Sequence, residues 1–285
     1  MAGTLFVVAT PIGNLEDITV RALRILREVA LIAAEDTRRT AHLLTRYGIT
    51  TTTTSLHEHN EQRKSSALIA RLEHGDSIAL VSDAGTPTVS DPGARFIAEA
   101  IRHGIKVEAI PGPNAAIAAL SVSGVVADGF VFLGFPPTRS KDRIKWMERL
   151  SMAEGAAIFY EAPHRIVATL EEIQASIGDL PVVVIRELTK AHEELVRGPI
   201  SEVLARGMTI KGEFTVVIDI GHMTDSPVNS QEKAQAIEEL ARAFGQMTTE
   251  KTRTKRQAIA ELARRYGVTT KEAYRAIEDA KRSGV

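Results

Sequence analysis

Short apolar, β-branched runs alternate along the chain with stretches in which apolar residues recur every three or four positions. The runs predict strands at Leu5–Ala9, Leu31–Ala34, Ser77–Ser82, Lys106–Ile110, Phe130–Leu133, Ala156–Tyr160, Val182–Ile185 and Phe214–Asp219. Between them the helical spacing predicts helices at Thr19–Val29, Glu61–His74, Ala94–His103, Ala115–Ser123, Lys141–Leu150 and Arg165–Ser176. Strand followed by helix, repeated, is the pattern of an α/β protein with largely parallel pairing. The tempo changes at Pro111-Gly112-Pro113-Asn114, which divides an N-terminal α/β lobe, 1–112, from a C-terminal α/β lobe, 113–222. A polar linker, 223–230, follows. Beyond it, 231–285 reads as a small helical appendage, with Ala234, Ile237, Ala241 and Phe244 on one helix and Ile259, Leu262, Ala263 and Tyr266 on the next. Gly267–Thr270 then turns the chain into a last helix, a helix-turn-helix-like arrangement.

Composition narrows the classes. The 285 residues are 44% hydrophobic and 25% charged, enough for cores that need no staple. The absence of cysteine excludes disulfides, thiolate zinc sites and a cysteine nucleophile, and suits a reducing, cytoplasmic setting. The first residues lack the basic start and cleavage site of a signal peptide, and no apolar run approaches the length of a membrane span, so no membrane role is expected. Net charge is −1, but Gly245–Val285 carries ten Lys/Arg against five Asp/Glu. A basic tail on an acidic body predicts a local contact with a polyanion.

Several chemistries are excluded by their motifs. The first strand–helix turn, Thr10–Asn14, has one glycine and is no dinucleotide fingerprint. Gly207 and Gly212 have the spacing of a phosphate loop, but Glu213 stands where a lysine is needed. There is no nucleophile elbow and no H-E-x-x-H pair. His57-Glu58-His59 has a spacing that a strand could offer to a metal, yet such a trio is more often surface loop, and no metal is expected.

Three Gly/Pro-rich turns follow apolar strands: Thr10–Asn14, Asp83–Pro87 with Asp91-Pro92-Gly93, and Pro111–Asn114. Ligands of open parallel sheets bind beyond the carboxyl ends of the strands, where glycine permits close approach. None of these turns clusters Lys or Arg, which suits a ligand without a phosphate chain. S-adenosylmethionine fits, because its sulfonium would be repelled by cations. Charged groups also stand at strand ends: Glu35–Arg39, His57–Glu61, Glu161–Arg165 and Arg186–Lys190. They can line the mouth of a cleft, or, as for Asp36 and Thr37, simply cap the following helix.

These residues resemble a family. Val8–Thr19 is similar to the opening of the bacterial ribosomal RNA small-subunit methyltransferases I, which have the two-lobed tetrapyrrole methylase fold. Matches continue in order through Ala34–Arg38, Leu56–Glu61, Leu80–Pro87 with Asp91–Gly93, Pro111–Pro113, Gly134-Phe135, Phe159–Glu161 with His164-Arg165, Arg186–Lys190 and Gly212-Glu213. The resemblance covers residues 4 to about 220. It implies S-adenosylmethionine-dependent 2′-O-methylation of the ribose of a decoding-centre cytidine in 16S rRNA, with the 30S subunit as partner, a homodimer and no metal for the cofactor. It also implies that the cofactor lies between the lobes, touching Pro11, Ser82, Asp83, Ala84, Gly85, Ser121, Phe135, Phe159 and Leu188.

A ribose hydroxyl attacks a methyl group only as its proton leaves, so a positioned acceptor helps. Glu35, Asp36, His57, Glu58 and Glu161 are the candidates for base or orienter. Arg38, His164, Arg165, Arg186 and Lys190 are expected to hold phosphates, His59 and Asn60 to read a splayed base, and Arg253, Lys255 and Arg256 to grip RNA from the tail. Three rivals compete. A tetrapyrrole methyltransferase shares the fold, but those enzymes more often show Gly-Asp-Pro where this chain has Asp83-Ala84-Gly85-Thr86-Pro87. A non-catalytic RNA-binding factor would have little need of every turn. A DNA-binding regulator would need a dimer with defined half-site spacing, and no DNA partner is expected.

Overall fold

The computed structural model describes residues 2–221 and, beyond them, 239, 240, 243, 259, 262 and 273–277. The chain separates into two compact units, one comprising Met1–Val122 with Arg186–Glu194, the other Ser123–Ile185 with Leu195–Val285. The first unit therefore runs past the expected lobe division after residue 112 and recruits a distant loop.

The sheet of the first unit contains β1 (Thr4–Val8), β2 (Leu31–Ala34), β3 (Thr53–Ser55), β4 (Ile78–Val81) and β5 (Lys106–Ile110), in the order β3-β2-β4-β1-β5. All its pairings are parallel. Both faces are covered, which is why β2 and β4 read as unbroken apolar runs with every residue buried. Alternate side chains serve alternate faces. Ile32, Ala79 and Val81 pack with Ala22 and Leu26 of α1 (Val20–Glu28) and Leu43 and Leu44 of α2 (Thr37–Arg46). Leu31, Ala33, Ile78 and Leu80 pack on the other side with Leu68 and Leu72 of α3 (Glu61–Glu73) and Phe96 and Ala100 of α4 (Ala94–Arg102).

This arrangement makes β1 and β4 neighbours whose onward connections leave to opposite faces, since α1 follows β1 and α4 follows β4. A crevice at the carboxyl ends of two such strands is where open α/β sheets bind ligands. Another helix, α5 (Ala115–Ser123), follows β5.

The second unit has β6 (Phe130–Phe132), β7 (Gly155–Glu161), β8 (Pro181–Arg186), β9 (Glu194–Pro199) and β10 (Phe214–Gly221), in the order β6-β7-β10-β8-β9. Trp146, Met147 and Leu150 of α6 (Ser140–Ser151), Ile166, Leu170 and Ile173 of α7 (Ile166–Ser176) and Ile200 and Val203 of α8 (Ile200–Arg206) bury one face of this sheet. Here the expectation of parallel pairing is corrected. β6 and β7 are parallel, but β7 and β10 run antiparallel over seven register pairs. β10 reaches β7 only after α7, β8, β9 and α8 have intervened, so no local pattern in the sequence fixes its direction.

Two strands absent from the sequence reading, β3 and β9, are short or lie partly open and carry Thr, Ser, Glu and Arg, so they lack an apolar run. The described residues beyond 221 are helical, and Leu240, Ile259, Leu262, Ala273 and Ile277 are buried. The linker 223–230 and Arg253, Lys255 and Arg256 lie outside the described residues. Among the described residues no helix is long and apolar enough to cross a membrane.

Candidate active site

The turns after β1 and β4 are joined to each other. Thr10 and Gly85 form an isolated antiparallel bridge, with amide-to-carbonyl bonds of 2.9 and 3.0 Å, and the Thr10 hydroxyl donates to the Ser82 carbonyl at 3.2 Å. Gly85 sits at φ +80°, where a side chain is strained, and a Cβ there would also press on Ile12 at 3.4 Å. The turn continues through Thr88 (φ 73°) and Ser90 (φ 70°), two non-glycine residues in the left-handed region. Such conformations are costly and persist where surrounding contacts impose them.

Among the described residues the other two left-handed non-glycine residues are Glu187 (φ 53°) and Thr189 (φ 68°), in the loop 186–194 that joins the first unit. This loop lies on the turn after β1. Thr189 Oγ1 accepts from the Asn14 amide at 3.1 Å, and a Cβ on Gly13 would stand 2.5 Å from Lys190 Cγ and 2.7 Å from Thr189 Oγ1. A side chain at 13 would thus have to displace Lys190 and Thr189, and the Leu188 carbonyl is part of the same packing.

Carboxylates cross-link the ends of β2 and β4. The Asp36 amide donates to Asp83 Oδ1 at 2.9 Å, and the Asp83 amide donates back to Glu35 Oε2 at 3.3 Å. Arg39 approaches Asp83 Oδ2 at 3.4 Å. Burial raises the Glu35 carboxyl above its ordinary range, with Asp83 adding to the rise while the Asp83 amide and Arg39 oppose it. Asp91, half-buried, is pushed up to about 6, first by desolvation and then by the charge of Glu35, with a bond to the Ser82 hydroxyl pulling the other way. Asp36 instead caps α2, accepting from the Arg38 amide and gripping the Arg38 guanidinium at 3.1 and 2.8 Å, which holds its carboxyl well below the usual range. The capping alternative therefore describes Asp36.

His57 and Glu58 leave the end of β3, beside the end of β2, because Ser55 pairs with Ala34 and the Leu56 amide donates to the Ala34 carbonyl. Asn60, expected to read a base, is engaged locally. Its Oδ1 accepts from the His57 amide at 3.0 Å, and its Nδ2 faces His57 Nε2 at 2.8 Å. Lys64 steadies the same corner through the Thr54 hydroxyl and the Ser55 carbonyl and hydroxyl. Glu58 and His59 are exposed.

The expected phosphate ligands of the first unit have carboxylate partners. Arg186 pairs with Glu194 at 3.0 Å, Lys190 with Glu187 at 3.0 Å, and Arg38 with Asp36. Ser121 is exposed on α5 and donates to the Ala118 carbonyl.

Phe135, Phe159, Glu161, His164 and Arg165 belong to the second unit. Glu161, expected among the bases, is a buried structural carboxylate. Its side chain is fully shielded, accepts from the Thr169 hydroxyl at 2.6 Å and from the Ala162 amide at 2.8 Å, and lies 3.4 Å from Arg165 Nε. Phe159 points into the core, edge-on to Trp146 at 5.2 Å, so its side chain is not presented to a ligand. Phe135 is half-exposed and edge-on to Tyr160, while Arg165 is bound to the Pro136 carbonyl and His164 is exposed.

The structure thus gathers Pro11, Glu35, Asp36, Ser82, Asp83, Ala84, Gly85 and Leu188 at one sheet end. It adds Asp91, Thr10, Arg39 and Thr189, which the sequence reading left out of the site. The Asp91-Pro92-Gly93 turn was visible, but its nearness to Glu35 arises only from strand order. Among the described residues no group of three or more His, Asp or Glu is placed to hold a metal.

Comparisons with known proteins bear on this arrangement. Residues 4–204 match the family of tetrapyrrole (corrin/porphyrin) methylases. The chain is similar to ribosomal RNA small subunit methyltransferase I of Halalkalibacterium halodurans, 48% identical over 219 residues that cover 76% of each chain. It is 45% identical over 218 residues to the Thermotoga maritima protein of that name, covering 76% of this chain and 98% of the relative. A solved structure of uroporphyrin-III C-methyltransferase from Thermus thermophilus, complexed with S-adenosylhomocysteine, superposes with a TM-score of 0.55 at 16% identity over 76% of this chain and 97% of that one.

Proposed function

The chain belongs to the tetrapyrrole methylase family and, within it, to the ribosomal RNA small subunit methyltransferases I, and from this we propose that it methylates the 2′-hydroxyl of a decoding-centre cytidine in 16S rRNA. It is an S-adenosylmethionine-dependent methyltransferase acting on ribosomal RNA. The observation that supports the reading is the sheet end where the turns after β1 and β4 meet through Thr10 and Gly85, with the carboxylates of Glu35 and Asp83 beside them. The tetrapyrrole alternative rests on the broad family match and on a likeness of fold at 16% identity, whereas the ribosomal RNA enzymes match at 45% and 48%.

The residues present fit the cofactor. The turns 10–14, 82–87 and 111–114 contain no Lys or Arg, so none of them sets a cation against the sulfonium. When bound, S-adenosylmethionine supplies a methyl group on a positively charged sulfur. Pro11, Ser82, Asp83, Ala84, Gly85 and Leu188 would hold it, with the carboxylates of Glu35 and Asp83 complementing the charge.

As the methyl carbon–sulfur bond breaks and the carbon–oxygen bond forms, the ribose proton must leave. Glu35 is the acceptor best suited among the expected bases. Asp36 is committed to Arg38 and Glu161 is sealed in the second unit. Glu35 is held by the Asp83 amide, and its raised carboxyl lies nearer neutral pH, which favours general-base work. Alignment of hydroxyl and methyl supplies much of the remaining acceleration.

The proposal extends to a 30S substrate, a cytoplasmic setting and a homodimer, supported by the family resemblance. Tritiated-methyl transfer from S-adenosylmethionine to 30S subunits of a strain lacking the gene tests it, with the product mapped by nuclease digestion and mass spectrometry. A ribose-methylated cytidine is the expected product. Cofactor binding without transfer to 30S, 50S or free rRNA would overturn the reading.

A further inference from the structure

The corner at the end of β3 fixes a proton. The Asn60 side chain has one orientation compatible with its neighbours, because the His57 amide can only donate and lies 3.0 Å from Oδ1. Nδ2 is therefore the atom facing His57 Nε2 at 2.8 Å, with the Ser55 carbonyl and hydroxyl at 3.5 and 3.4 Å also on its acceptor side. An amide nitrogen can only donate, so Nε2 must accept, and the proton of the neutral ring resides on Nδ1. Nδ1 is buried and has no partner among the described residues. A buried donor left unmade is costly, and native structures rarely keep one without use.

The surroundings hold this state. Lys64, from the first turns of α3, spends its ammonium on Thr54 and Ser55, and Ser55 is also the residue next to Asn60 Nδ2. His59 stands edge-on to His57 at 6.1 Å. Both flanking strand ends belong to the sheet end that carries Glu35.

We infer that Asn60 is a positioning residue that fixes His57 as the Nδ1–H tautomer, so that His57 serves the reaction as a hydrogen-bond donor and not as a proton acceptor. This deepens the proposed methyl transfer and rests on it for the word reaction, whereas the tautomer stands on geometry alone. It also divides labour between neighbouring strand ends: Glu35 takes the proton, and His57 holds a shielded donor whose acceptor the described residues of the free chain do not supply. Asn60, expected from the sequence to read a base, acts through His57 instead.

Asn60→Asp separates the roles. The aspartate keeps an oxygen for the His57 amide but offers Nε2 an acceptor where there was a donor. The proton then moves to Nε2, and Nδ1 becomes an acceptor. The test uses the full chain with histidine labelled in nitrogen-15, the His57 signal being identified by its loss in His57→Gln. Long-range proton–nitrogen spectra report the tautomer, and methyl transfer to 30S subunits is measured on the same samples. The expected result is Nδ1–H in the wild type and Nε2–H in Asn60→Asp. With it comes a fall in kcat of about 10- to 100-fold at unchanged thermal stability. Asn60→Gln is expected to lose the fixed tautomer and the rate together. An Nε2–H wild-type ring overturns the inference, and so does full activity in an Asn60→Asp protein whose tautomer has inverted. A wild type that shows Nδ1–H yet transfers no methyl group to any rRNA removes the reaction and, with it, the donor role, leaving the tautomer intact.

Discussion

Asp83 Oδ1 accepts from the backbone amide of Asp36, 47 residues earlier, while the Asp83 amide returns a bond to the neighbouring Glu35 carboxylate. Each strand end thus supplies both a donor and an acceptor to the other. Asp83→Ala would leave the Asp36 amide short of a partner and remove the charge opposite Arg39. The expected cost is about 1–3 kcal/mol of stability, with weaker binding of S-adenosylmethionine than in Asp83→Asn, which retains the accepting oxygen. Isothermal calorimetry and thermal melts on the two variants check this, and equal losses in both would place the effect in charge alone.

Asp91 predicts a pH dependence with a definite sign. Its carboxyl rises from an ordinary 3.8 to about 6 in the folded chain. The folded state therefore binds the proton more tightly, and the associated stability is present in full below about pH 3.8 and is lost as pH rises through 6. Asn at this position mimics the protonated form. Asp91→Asn should raise the melting temperature at pH 7.5 by about 2–4 °C, with the gain shrinking to nothing towards pH 4. A gain that is constant across this range would contradict the assignment.

Glu161→Gln and Glu161→Ala distinguish structure from catalysis. Glutamine can keep an acceptor for the Ala162 amide and Arg165 while its NH2 donates to the Thr169 hydroxyl, so methyl transfer should persist near the wild-type rate. Alanine strands the Thr169 hydroxyl, the Ala162 amide and Arg165, at a cost of about 3–5 kcal/mol. Denaturant melts alongside transfer assays read both, and a Glu161→Gln protein that is stable but inactive would restore Glu161 to the list of bases.

Gly13→Ala should act through the recruited loop. The added methyl must displace Lys190 and Thr189, at 2.5 and 2.7 Å. Because Gly13 and the loop are exposed or half-buried, stability should change by less than about 1 kcal/mol, while cofactor affinity falls at least severalfold. Calorimetry with S-adenosylmethionine decides it; unchanged affinity would remove Leu188 from the cofactor contacts.

Removal of residues 230–285 should weaken 30S binding and reduce its salt dependence if, as its charge predicts, the basic tail contacts phosphates. The transfer rate at saturating 30S should survive, since the Thermotoga maritima relative is covered over 98% of its length by 76% of this chain. Filter binding across a salt series measures the slope, and an unaltered slope would count against the tail as an RNA contact.

Much of the first unit was legible because its strands are buried on both faces, so that Leu31–Ala34 and Ile78–Val81 announce themselves as apolar runs. The turns at Thr10, Asp83 and Pro111 were visible through glycine and proline. What the sequence could not carry was adjacency. That Thr10 meets Gly85, or that Asp91 feels Glu35, follows from β1 and β4 lying side by side, which no local pattern encodes. Side-chain direction was equally hidden. Glu161 and Arg165 look like mouth residues because they follow a strand, yet the alternation of β7 turns Phe159 and Glu161 inward. Asn60 looked free to read a base because nothing in the sequence shows its amide turned back on His57.

The strand order has a consequence for biosynthesis. β1 pairs with β4 and β5 and with no nearer strand. When the chain leaves the ribosome, its first strand must wait until residue 110 is out before both its edges can be filled. Long-range parallel pairing of this kind is slow and leaves strand edges open meanwhile. The first unit then waits again, because Thr189 can reach Asn14 only after the strands β6, β7 and β8 have been made. A nascent or prematurely ended chain therefore has the first sheet before it has the finished turn after β1, which is completed only when strands of the second unit have been made.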